Sequence, residues 1–470
     1  MIGVVGGGVA GLAAAYRLQQ RGREVQVFEA SDDVGGLAAV YETAGDPIEK
    51  FYHHLSASEG TIVELIDDLG LGEDLEWRYK TDSYYVDGVV HPMEKAWEIL
   101  AYPHLSIYDK FRLAMLVKEI DVRGGVPKFD TYDDITDFED VPIKEFLLDH
   151  TTRHVYESFW EPLLDAKFGS RKEDVSAAWL LGRVKFRGER DVIRGEQLGY
   201  LEGGFGVLLD ELYGAVGEQN VTTGARVTEI GVEADGHADG VGAGAVSDGG
   251  STVTDTATAA AGGPAAESIT VERDGATETH DVDAVVVAAM PNVLEDLTGY
   301  PCEIDFQGTV CSVWSMDRSL SDTYWLNIKD EAPFGVFIEH TNFVPPARYG
   351  GEHLYYTASY VQDYDEPLWG MDDDAVEAHW RDGIADLFPE FDPETVNWAE
   401  TARNPRTAPI YERGYLDMVV PYDLGEEVAE GVYYAGMASR AQYPERSLNG
   451  GIEAGFACAD RVAGVADGEE

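Results

Sequence analysis

The sequence predicts an α/β protein in which a domain built on a parallel sheet is interrupted by a second domain of helices and an antiparallel sheet. The first 36 residues alternate strand, glycine loop, helix and strand, which is typical of a parallel βαβ unit. Apolar strand-like runs return after residue 220 and again in the last 40 residues. We therefore expect a discontinuous parallel domain (residues 1–75, 200–300 and 405–470) and an inserted substrate domain (residues 76–199 and 301–404).

The opening unit is a strand from Ile2 to Val5, a glycine loop, an alanine-rich helix to about Arg21 and a second strand from Val25 to Phe28. The loop reads Gly-Gly-Gly-Val-Ala-Gly and contains the G-x-G-x-x-G spacing. That spacing is informative here because it follows a strand and opens a helix, which is the context that a dinucleotide-binding loop requires.

Each residue type in the loop has a physical use. Gly6 permits the tight turn, Gly8 lets a pyrophosphate approach the backbone, and Gly11 lets the helix lie close to the strand. The helix N-terminus offers free N–H groups and a positive dipole end to phosphate. Glu29, after the second strand, can accept hydrogen bonds from ribose hydroxyls and would repel a 2′-phosphate. The stretch therefore predicts a site for an adenine dinucleotide with a free ribose.

Local signals locate the next elements. Ser56 and Glu59 have capping-box spacing and predict a helix that ends at Gly70. Asp87-Gly88, between two β-branched and aromatic runs, predicts a two-residue hairpin.

Longer patterns fill the rest of the chain. Residues 93–187 are mainly helical in pattern, and strand-like runs in residues 308–362 suggest an antiparallel sheet. Residues 234–265 are rich in Gly, Ala, Ser, Thr and Asp without a sustained period, so we expect a solvated surface insertion. A strand from Gly431 to Ala435 and a helix from about Asn449 to Val462 return to the parallel domain.

The charge of the chain is strongly unbalanced, with 88 acidic against 34 basic residues and a net charge of −54. The excess is spread along the whole chain, as in proteins of salt-in halophiles, and its self-repulsion would destabilise the fold at low ionic strength. At molar salt the Debye length is only about 3 Å, so the repulsion is screened. We expect a halophilic source, a fold that needs high salt, and no nucleic-acid partner.

The composition also predicts the cellular compartment of the protein. Its three cysteines, Cys302, Cys311 and Cys458, have no metal or disulfide spacing, so we expect no metal site and a reducing compartment. Neither a leader peptide nor a run of about 18 apolar residues is seen. We expect a cytoplasmic protein; peripheral contact with a membrane, through an apolar substrate entrance, stays open.

The opening stretch resembles, position by position, the pattern of the flavoprotein superfamily that includes protoporphyrinogen oxidase, flavin amine oxidase and phytoene desaturase. The matching positions run from Gly6 through Leu12 and Glu29 to Gly35-Gly36. The resemblance extends to later segments, such as Gly203-Gly204 and the start of the last helix, and so covers the whole length of the chain. The run Tyr-His-His at residues 52–54 is also similar to UDP-galactopyranose mutase, which carries a histidine beside its flavin after a comparable run.

This resemblance implies a Rossmann-like domain that holds FAD in extended form. The last helix would point its N-terminus at the flavin, where it can stabilise negative charge on the reduced ring. The residues that the resemblance implies for FAD binding are Gly6, Gly8, Val9, Ala10, Gly11, Glu29, Ala30, Gly35, Gly36, Leu37, Val227, Ala289, Gly436, Met437, Asn449 and Ile452.

Candidates for contact with the substrate are His53, His54, Arg406 and Tyr411. Neighbouring residues of an extended segment point to opposite sides, so only one of the two histidines is expected to face the flavin. The arginines at 403 and 406 and Tyr411 are predicted on a loop before the C-terminal block, either lining the substrate cavity or paired with carboxylates.

Two further side chains have less clear roles in the sequence. Lys167 ends a predicted helix, where a surface position is favoured over the cavity. Tyr443 is a further cavity candidate.

The functional prediction is an FAD-dependent oxidoreductase that takes a hydride from a small organic substrate, apolar or not, onto flavin N5. Only one complete nucleotide fold is recognisable, so oxygen, a quinone or another carrier is expected as the electron acceptor. Two alternatives remain open: a mutase-like flavoenzyme without net redox chemistry, and a protein in which FAD is structural. The inserted module favours a substrate cavity over a simple nucleotide holder.

Overall fold

The computed structural model describes residues 1–122, 134–186, 191, 193–233 and 264–465. The predicted surface insertion at 234–265 lies almost wholly outside the described residues. Within the described ranges, no helix combines the length and the apolar character needed to cross a bilayer.

The strands of the described residues are β1 (Ile2–Val5), β2 (Val25–Phe28), β3 (Val40–Tyr41), β4 (Ile48–Glu49), β5 (Leu55–Ser56), β6 (Leu75–Tyr79), β7 (Asp82–Val86), β8 (Val89–Pro92), β9 (Gln197–Leu201), β10 (Val221–Thr222), β11 (Ala225–Val232), β12 (Ala266–Arg273), β13 (Ala276–Asp281), β14 (Ala284–Val287), β15 (Phe306–Met316), β16 (Trp325–Ile328), β17 (Val336–Glu339), β18 (His353–Val361), β19 (Val396–Pro409) and β20 (Val432–Tyr434).

The α-helices are α1 (Val9–Gln20), α2 (Gly60–Asp68), α3 (Ala96–Ala101), α4 (Ile107–Val117), α5 (Ile143–His150), α6 (Arg153–Val155), α7 (Glu161–Phe168), α8 (Ala177–Phe186), α9 (Phe205–Val216), α10 (Pro291–Thr298), α11 (Pro367–Gly370), α12 (Asp373–Leu387), α13 (Tyr415–Met418) and α14 (Leu448–Val462). A π-helical turn, Tyr156–Trp160, joins α6 to α7.

Five parallel strands form the predicted Rossmann-like sheet, in the order β10-β2-β1-β14-β20. Strands β1 and β14 are short, buried and β-branched, as expected of a parallel sheet covered on both faces. Helices α1 and α14 pack against each other, and Gly455 allows this because a side chain there would collide with the backbone of Ala10 and Ala14. The sheet order changes direction at β1, which is where open α/β sheets bind ligands.

The second large sheet is mainly antiparallel and has the order β19-β15-β18-β17-β16-β7-β8. Strand β15, next to the edge strand β19, is buried along almost its whole length and pairs with β18 on one side and β19 on the other. The predicted hairpin at Asp87-Gly88 joins β7 to β8, with positive φ at both residues.

Two local predictions were wrong. Ser56 lies in β5, which pairs with β9, and helix α2 begins only at Gly60; the Ser56 N–H donates to the Glu59 carboxylate (2.6 Å) without capping a helix that starts there. Arg403 and Arg406 do not lie on a loop but within β19, since β15 supplies the hydrogen-bonding edge that residues 396–409 follow.

Candidate functional site

The glycine loop lies at the carboxyl edge of the parallel sheet. Gly6 has a φ of 107°, which a side chain would strain. A Cβ on Gly11 would lie well under 3.0 Å from the carbonyl oxygen of Gly6, so only glycine allows α1 to begin this close to β1. A Cβ on Gly8, in contrast, would meet no atom within 4 Å. The space above Gly8 is thus open, while the two flanking glycines are required by packing.

The first turn of α1 is suited to an anion. Its N-cap is Gly8, which has no side chain to cap the turn, so Val9 and Ala10 begin the helix without a side-chain acceptor. The Glu29 carboxylate lies beside this turn and accepts hydrogen bonds from Gly7 N (2.7 Å) and Ser31 N (2.7 Å). The residues present therefore fit the pyrophosphate and ribose of a dinucleotide, which agrees with the open space above Gly8.

The Gly35-Gly36 turn connects this loop to a cavity. Gly35 N donates to Gly7 O (3.0 Å), and both glycines have positive φ. Leu37, the next residue, lines the cavity. On the other side of the loop, Ala30 is exposed and Val227 is buried in β11, which begins beside the Glu29 backbone.

The C-terminal block meets the glycine loop at the same edge. A side chain on Gly436 would collide with the Ala289 carbonyl oxygen, and one on Gly451 would press against Val9. The Ala289 backbone beside Gly436 and the Val9 side chain beside Gly451 therefore explain these two glycines. Met437, next to Gly436, is half-buried at this edge.

Two predicted cofactor residues of α14 have structural partners. Asn449 Oδ1 accepts from Ile62 N (2.8 Å) of α2, and its Nδ2 donates to Glu453 (2.7 Å). Ile452 is fully buried in the core beneath the parallel sheet. Ser447 caps α14 by accepting from Gly450 N (3.0 Å).

The cavity lies against strands β15, β18 and β19 of the antiparallel sheet. Its walls combine residues after the Gly35-Gly36 turn with residues of β15, β18, β19 and the segment before α14. The lining residues are Leu37, Phe51, Tyr52, His53, Thr309, Tyr360, Thr407 and Arg446.

Only one histidine of the pair lines this cavity. His53 Nδ1 donates to the Phe51 carbonyl (2.6 Å), because a carbonyl oxygen can only accept, and this leaves Nε2 as an acceptor. Burial and the nearby Arg446 cation lower the pKa of His53 to about 4. His54 points away and hydrogen-bonds the Tyr324 hydroxyl through Nδ1 (3.1 Å). His53 is thus a neutral hydrogen-bond acceptor at neutral pH.

Positive charge gathers behind the cavity wall. Glu445 accepts from Lys167 Nζ (2.8 Å), from Trp179 Nε1 (3.0 Å) and from Arg183. These cations hold the pKa of Glu445 well below its usual range, although its burial acts in the opposite direction. The adjacent Arg446 adds a third cation, so three positive side chains face one carboxylate. We call Lys167, Arg183, Glu445 and Arg446 the cationic cluster.

Arg446 links this cluster to the cavity. Its backbone N–H donates to the Tyr411 hydroxyl (2.7 Å), and its Nη2 lies 3.5 Å from the Tyr360 hydroxyl. Its buried Nε has no hydrogen-bond acceptor among the residues that the structure describes. One edge of the guanidinium is therefore available to a bound anion.

Two phenols share a hydrogen bond in the cavity. The hydroxyls of Tyr52 and Tyr360 are 3.3 Å apart. Burial raises the pKa of Tyr52. Burial acts on Tyr360 in the same direction, but the Arg446 and Lys167 cations outweigh it and lower the pKa of that phenol.

Other sequence candidates lie outside the cavity lining. Arg406 N donates to the Asn404 side chain (2.9 Å), and the neighbouring Thr407 lines the cavity instead. Arg403 forms an ion pair with Asp373. Tyr411 is fully buried, and its hydroxyl donates to Gln442 O (3.1 Å), so it fixes the segment that carries Arg446.

The remaining two candidates also have definite partners. Tyr443 donates to Glu139 (2.5 Å). The surface position favoured for Lys167 was wrong, since its side chain is only 15% exposed and lies 5.0 Å above the Trp179 ring.

Sequence reasoning also missed part of the site: Thr309, Tyr360, Thr407, Glu445 and Arg446. One signal was available, since Arg446 lies just before Ser447, the N-cap of the last helix, in a chain that is poor in basic residues.

A parallel sheet with a dinucleotide cradle at its carboxyl edge, opening into a cavity closed by an antiparallel sheet, defines the class of FAD-dependent oxidoreductases. The comparisons agree. The sequence model of the flavin containing amine oxidoreductases matches residues 9–463, and the chain belongs to this family. FAD is accordingly its cofactor.

Curated relatives match parts of the chain. Protoporphyrinogen oxidase 2 of Arabidopsis thaliana is 34% identical over 24% of this chain and 23% of its own length. Zeta-carotene desaturase of Solanum lycopersicum is 26% identical over 34% of this chain and 30% of its own length. The match thus spans between about a quarter and a third of the length of these relatives.

Solved structures match nearly the whole chain. A candidate protoporphyrinogen oxidase from Exiguobacterium sp. 255-15 has a TM-score of 0.73 at 17% identity and covers 98% of both chains. Reduced UDP-galactopyranose mutase has a TM-score of 0.69 at 15% identity and covers 99% of this chain and 96% of its own. At these identities the likeness establishes the fold.

Proposed function

We propose that the protein oxidises an organic substrate that carries an acidic group, taking a hydride from a carbon of the substrate onto flavin N5. When bound, FAD supplies the hydride acceptor. The observation that carries the proposal is the cationic cluster: three cations face one carboxylate at the cavity wall, in a chain of net charge −54. A buried excess of positive charge is stabilised by an anion, and Arg446 has a free edge for one.

The roles proposed for the chain's own residues follow from their contacts. The loop at Gly6, Gly8 and Gly11 would hold the pyrophosphate and Glu29 the ribose. Arg446 would bind the acidic group of the substrate and fix its orientation. His53, through its neutral Nε2, would accept a hydrogen bond or a proton from the substrate as the hydride leaves.

The substrates of the related enzymes differ in charge, so an acidic substrate favours some of these enzymes over others as analogies. Porphyrinogens carry carboxylates, whereas carotenes carry no charged group and protonated amines carry the opposite charge. Of the two curated relatives, the protoporphyrinogen oxidase therefore offers a better chemical analogy than the carotene desaturase. As electron acceptor we propose oxygen, a quinone or a protein carrier.

The experiment is anaerobic reduction of the FAD-loaded protein in molar salt. We expect flavin bleaching at 450 nm with a porphyrinogen, and none with a carotene or an amine of similar size. Reoxidation of the bleached protein by oxygen, by a quinone or by neither identifies the acceptor. If none of these substrate classes bleaches the flavin, the oxidoreductase proposal fails and a structural role for FAD gains support.

A second candidate, a mutase-like activity without net redox chemistry, is favoured by the same cluster, because a nucleotide diphosphate is also an anion. The likeness to reduced UDP-galactopyranose mutase adds to it. Conversion of a UDP-sugar that requires prior reduction of the flavin by dithionite would support this candidate and overturn the oxidase proposal.

We expect His53→Gln to slow substrate-dependent flavin reduction at least about tenfold at every pH from about 5.5 to 8. The folded-state pKa of His53 is lowered to about 4, so the ring is neutral throughout this range and becomes protonated only near pH 4. The measurement is the anaerobic single-turnover rate as a function of pH.

His54→Gln is the matched control, since His54 hydrogen-bonds Tyr324 and does not line the cavity. Its effect should stay within about threefold. An inflection near pH 6.5 in the parent protein that disappears in His53→Gln would contradict the assignment.

A further inference from the structure

The two phenols that line the cavity have a single hydrogen bond between them. The hydroxyls of Tyr52 and Tyr360 are 3.3 Å apart, and neither has a further acceptor among the residues that the structure describes. Each phenol carries one proton, so one bond between the two oxygens satisfies only one of the two protons. The second proton therefore has no acceptor within the described ranges, although it belongs to a side chain of the cavity wall.

The surrounding charges decide which phenol gives up its proton. Arg446 Nη2 lies 3.5 Å from the Tyr360 hydroxyl, and Lys167 approaches from α7, which packs on β18. Burial raises the pKa of Tyr360, but these two cations and the bond to Tyr52 outweigh it and lower the pKa. Glu445 acts against the cations. Burial raises the pKa of Tyr52, so Tyr52 donates and Tyr360 accepts.

The charge balance of the cavity wall agrees with an ionised Tyr360. The cationic cluster holds three positive side chains and one carboxylate. An ionised Tyr360 supplies a second negative charge, which leaves one positive charge for the acidic group of a substrate. The remaining titratable side chain that lines the cavity, His53, is neutral at neutral pH because its pKa is lowered to about 4.

We propose that Tyr360 is a further catalytic residue, which accepts the proton that the substrate releases as it is oxidised. This role rests on the oxidase function proposed above. A C–H bond of the substrate breaks, and its electron pair leaves with the hydride to flavin N5. A neighbouring N–H or C–H bond also breaks: its electron pair forms the new double bond, and its proton joins the Tyr360 oxygen. The substrate thereby loses two electrons, and the phenolate becomes a phenol.

The neighbouring side chains have different tasks in this proposal. His53 keeps the role of hydrogen-bond acceptor, because a group with a pKa of about 4 is a much weaker base than a phenolate. Tyr52 is a positioning residue that acts through Tyr360. Thr309 pairs with Tyr360 across β15 and β18, and its buried hydroxyl has no partner within the described ranges. A substrate beside the phenolate would therefore find a free hydroxyl next to it.

The first measurement needs no substrate. The ultraviolet absorbance of phenolate is followed against pH in the FAD-loaded parent and in Tyr360→Phe, both in molar salt. We expect the difference between the two titrations to show one phenol that ionises below the usual pKa of about 10. A difference that appears only at or above that pH overturns the proposal.

The second measurement is the anaerobic rate of flavin reduction by a porphyrinogen as a function of pH. The rate of the parent should rise with pH as Tyr360 ionises. Tyr360→Phe should lower the rate at least about a hundredfold and remove the rise. Tyr52→Phe removes the hydrogen bond that stabilises the phenolate, so the rise should move to higher pH.

Tyr364→Phe is the matched control. Tyr364 lies four residues further along the chain, is 43% exposed, and donates to Pro405 O outside the cavity lining. This variant should react like the parent. The FAD content and melting temperature of Tyr360→Phe should equal those of the parent, because the lost hydroxyl has no acceptor within the described ranges.

The outcomes separate this role from the oxidase function. If a porphyrinogen bleaches the parent and Tyr360→Phe equally fast, Tyr360 is not the proton acceptor, while the oxidase function stands. If it bleaches neither protein, the oxidase function fails and the role of Tyr360 fails with it. A slow Tyr360→Phe that has also lost FAD, or an equal loss of rate in Tyr364→Phe, would show a structural effect and overturn the proposal.

Discussion

Gly11→Ala is expected to abolish retention of FAD and to lower the melting temperature of the protein. A methyl group at this position would lie well under 3.0 Å from the carbonyl oxygen of Gly6, which belongs to a backbone that cannot give way without displacing β1. The first turn of α1 must then move away from the sheet edge, and the N–H groups that would hold the pyrophosphate move with it. Flavin absorbance after gel filtration and a circular dichroism melt measure the two effects.

Gly8→Ala separates binding from folding. Its methyl group would meet no protein atom within 4 Å, so the melting temperature of the cofactor-free protein should not change. The same methyl group would occupy the open space above the loop, and we expect FAD affinity to fall at least about tenfold. Gly214→Ala, at an uncrowded position inside α9, should leave affinity unchanged and stability equal or higher. Normal FAD binding by Gly8→Ala would show that the pyrophosphate does not lie over this loop.

Glu445→Gln is expected to lower the free energy of unfolding by about 3 kcal/mol, because it leaves Lys167 and Arg183 without their shared counter-charge in a mostly buried position. Arg446, the third cation of the cluster, increases the cost. Urea unfolding at constant salt concentration, followed by circular dichroism, gives the value.

Glu173→Gln is the matched control. Glu173 pairs with Lys144 at the surface, where both side chains are more than 40% exposed, and the loss should stay below about 1 kcal/mol. The double variant Lys167→Met, Glu445→Gln should recover part of the stability, because it removes one uncompensated cation. If Glu445→Gln costs no more than the control, the cationic cluster is not a buried charge network.

The glycine loop could be predicted because its signal is local. Gly6, Gly8 and Gly11 sit between a strand and a helix that both have clear patterns, and the structure gives each glycine a geometric reason. The start of α2 was misplaced because the pairing of Ser56 with β9 depends on residues far away in the sequence, which a capping pattern does not contain.

The cavity wall could be predicted only in part. Lys167 was expected at the surface because a helix end alone does not reveal that Glu445, 278 residues later, returns to meet it. Thr309, Tyr360 and Thr407 come from three strands whose side chains meet only when the antiparallel sheet has formed. The alternation of a strand shows which residues share a face, but not which face closes on the flavin domain.

The parallel sheet has a consequence for synthesis of the protein. Its five strands come from residues 2–28, 221–222, 284–287 and 432–434, and β1 at the centre pairs with β14 from the third of these segments. Helix α1 further packs on α14, with Arg17 and Arg21 bound to Asp460. The glycine loop is therefore synthesised early, whereas β14 and α14, which pack against its strand and helix, are synthesised late. FAD can be captured stably only after translation has passed α14, and the nascent chain must remain unaggregated until then.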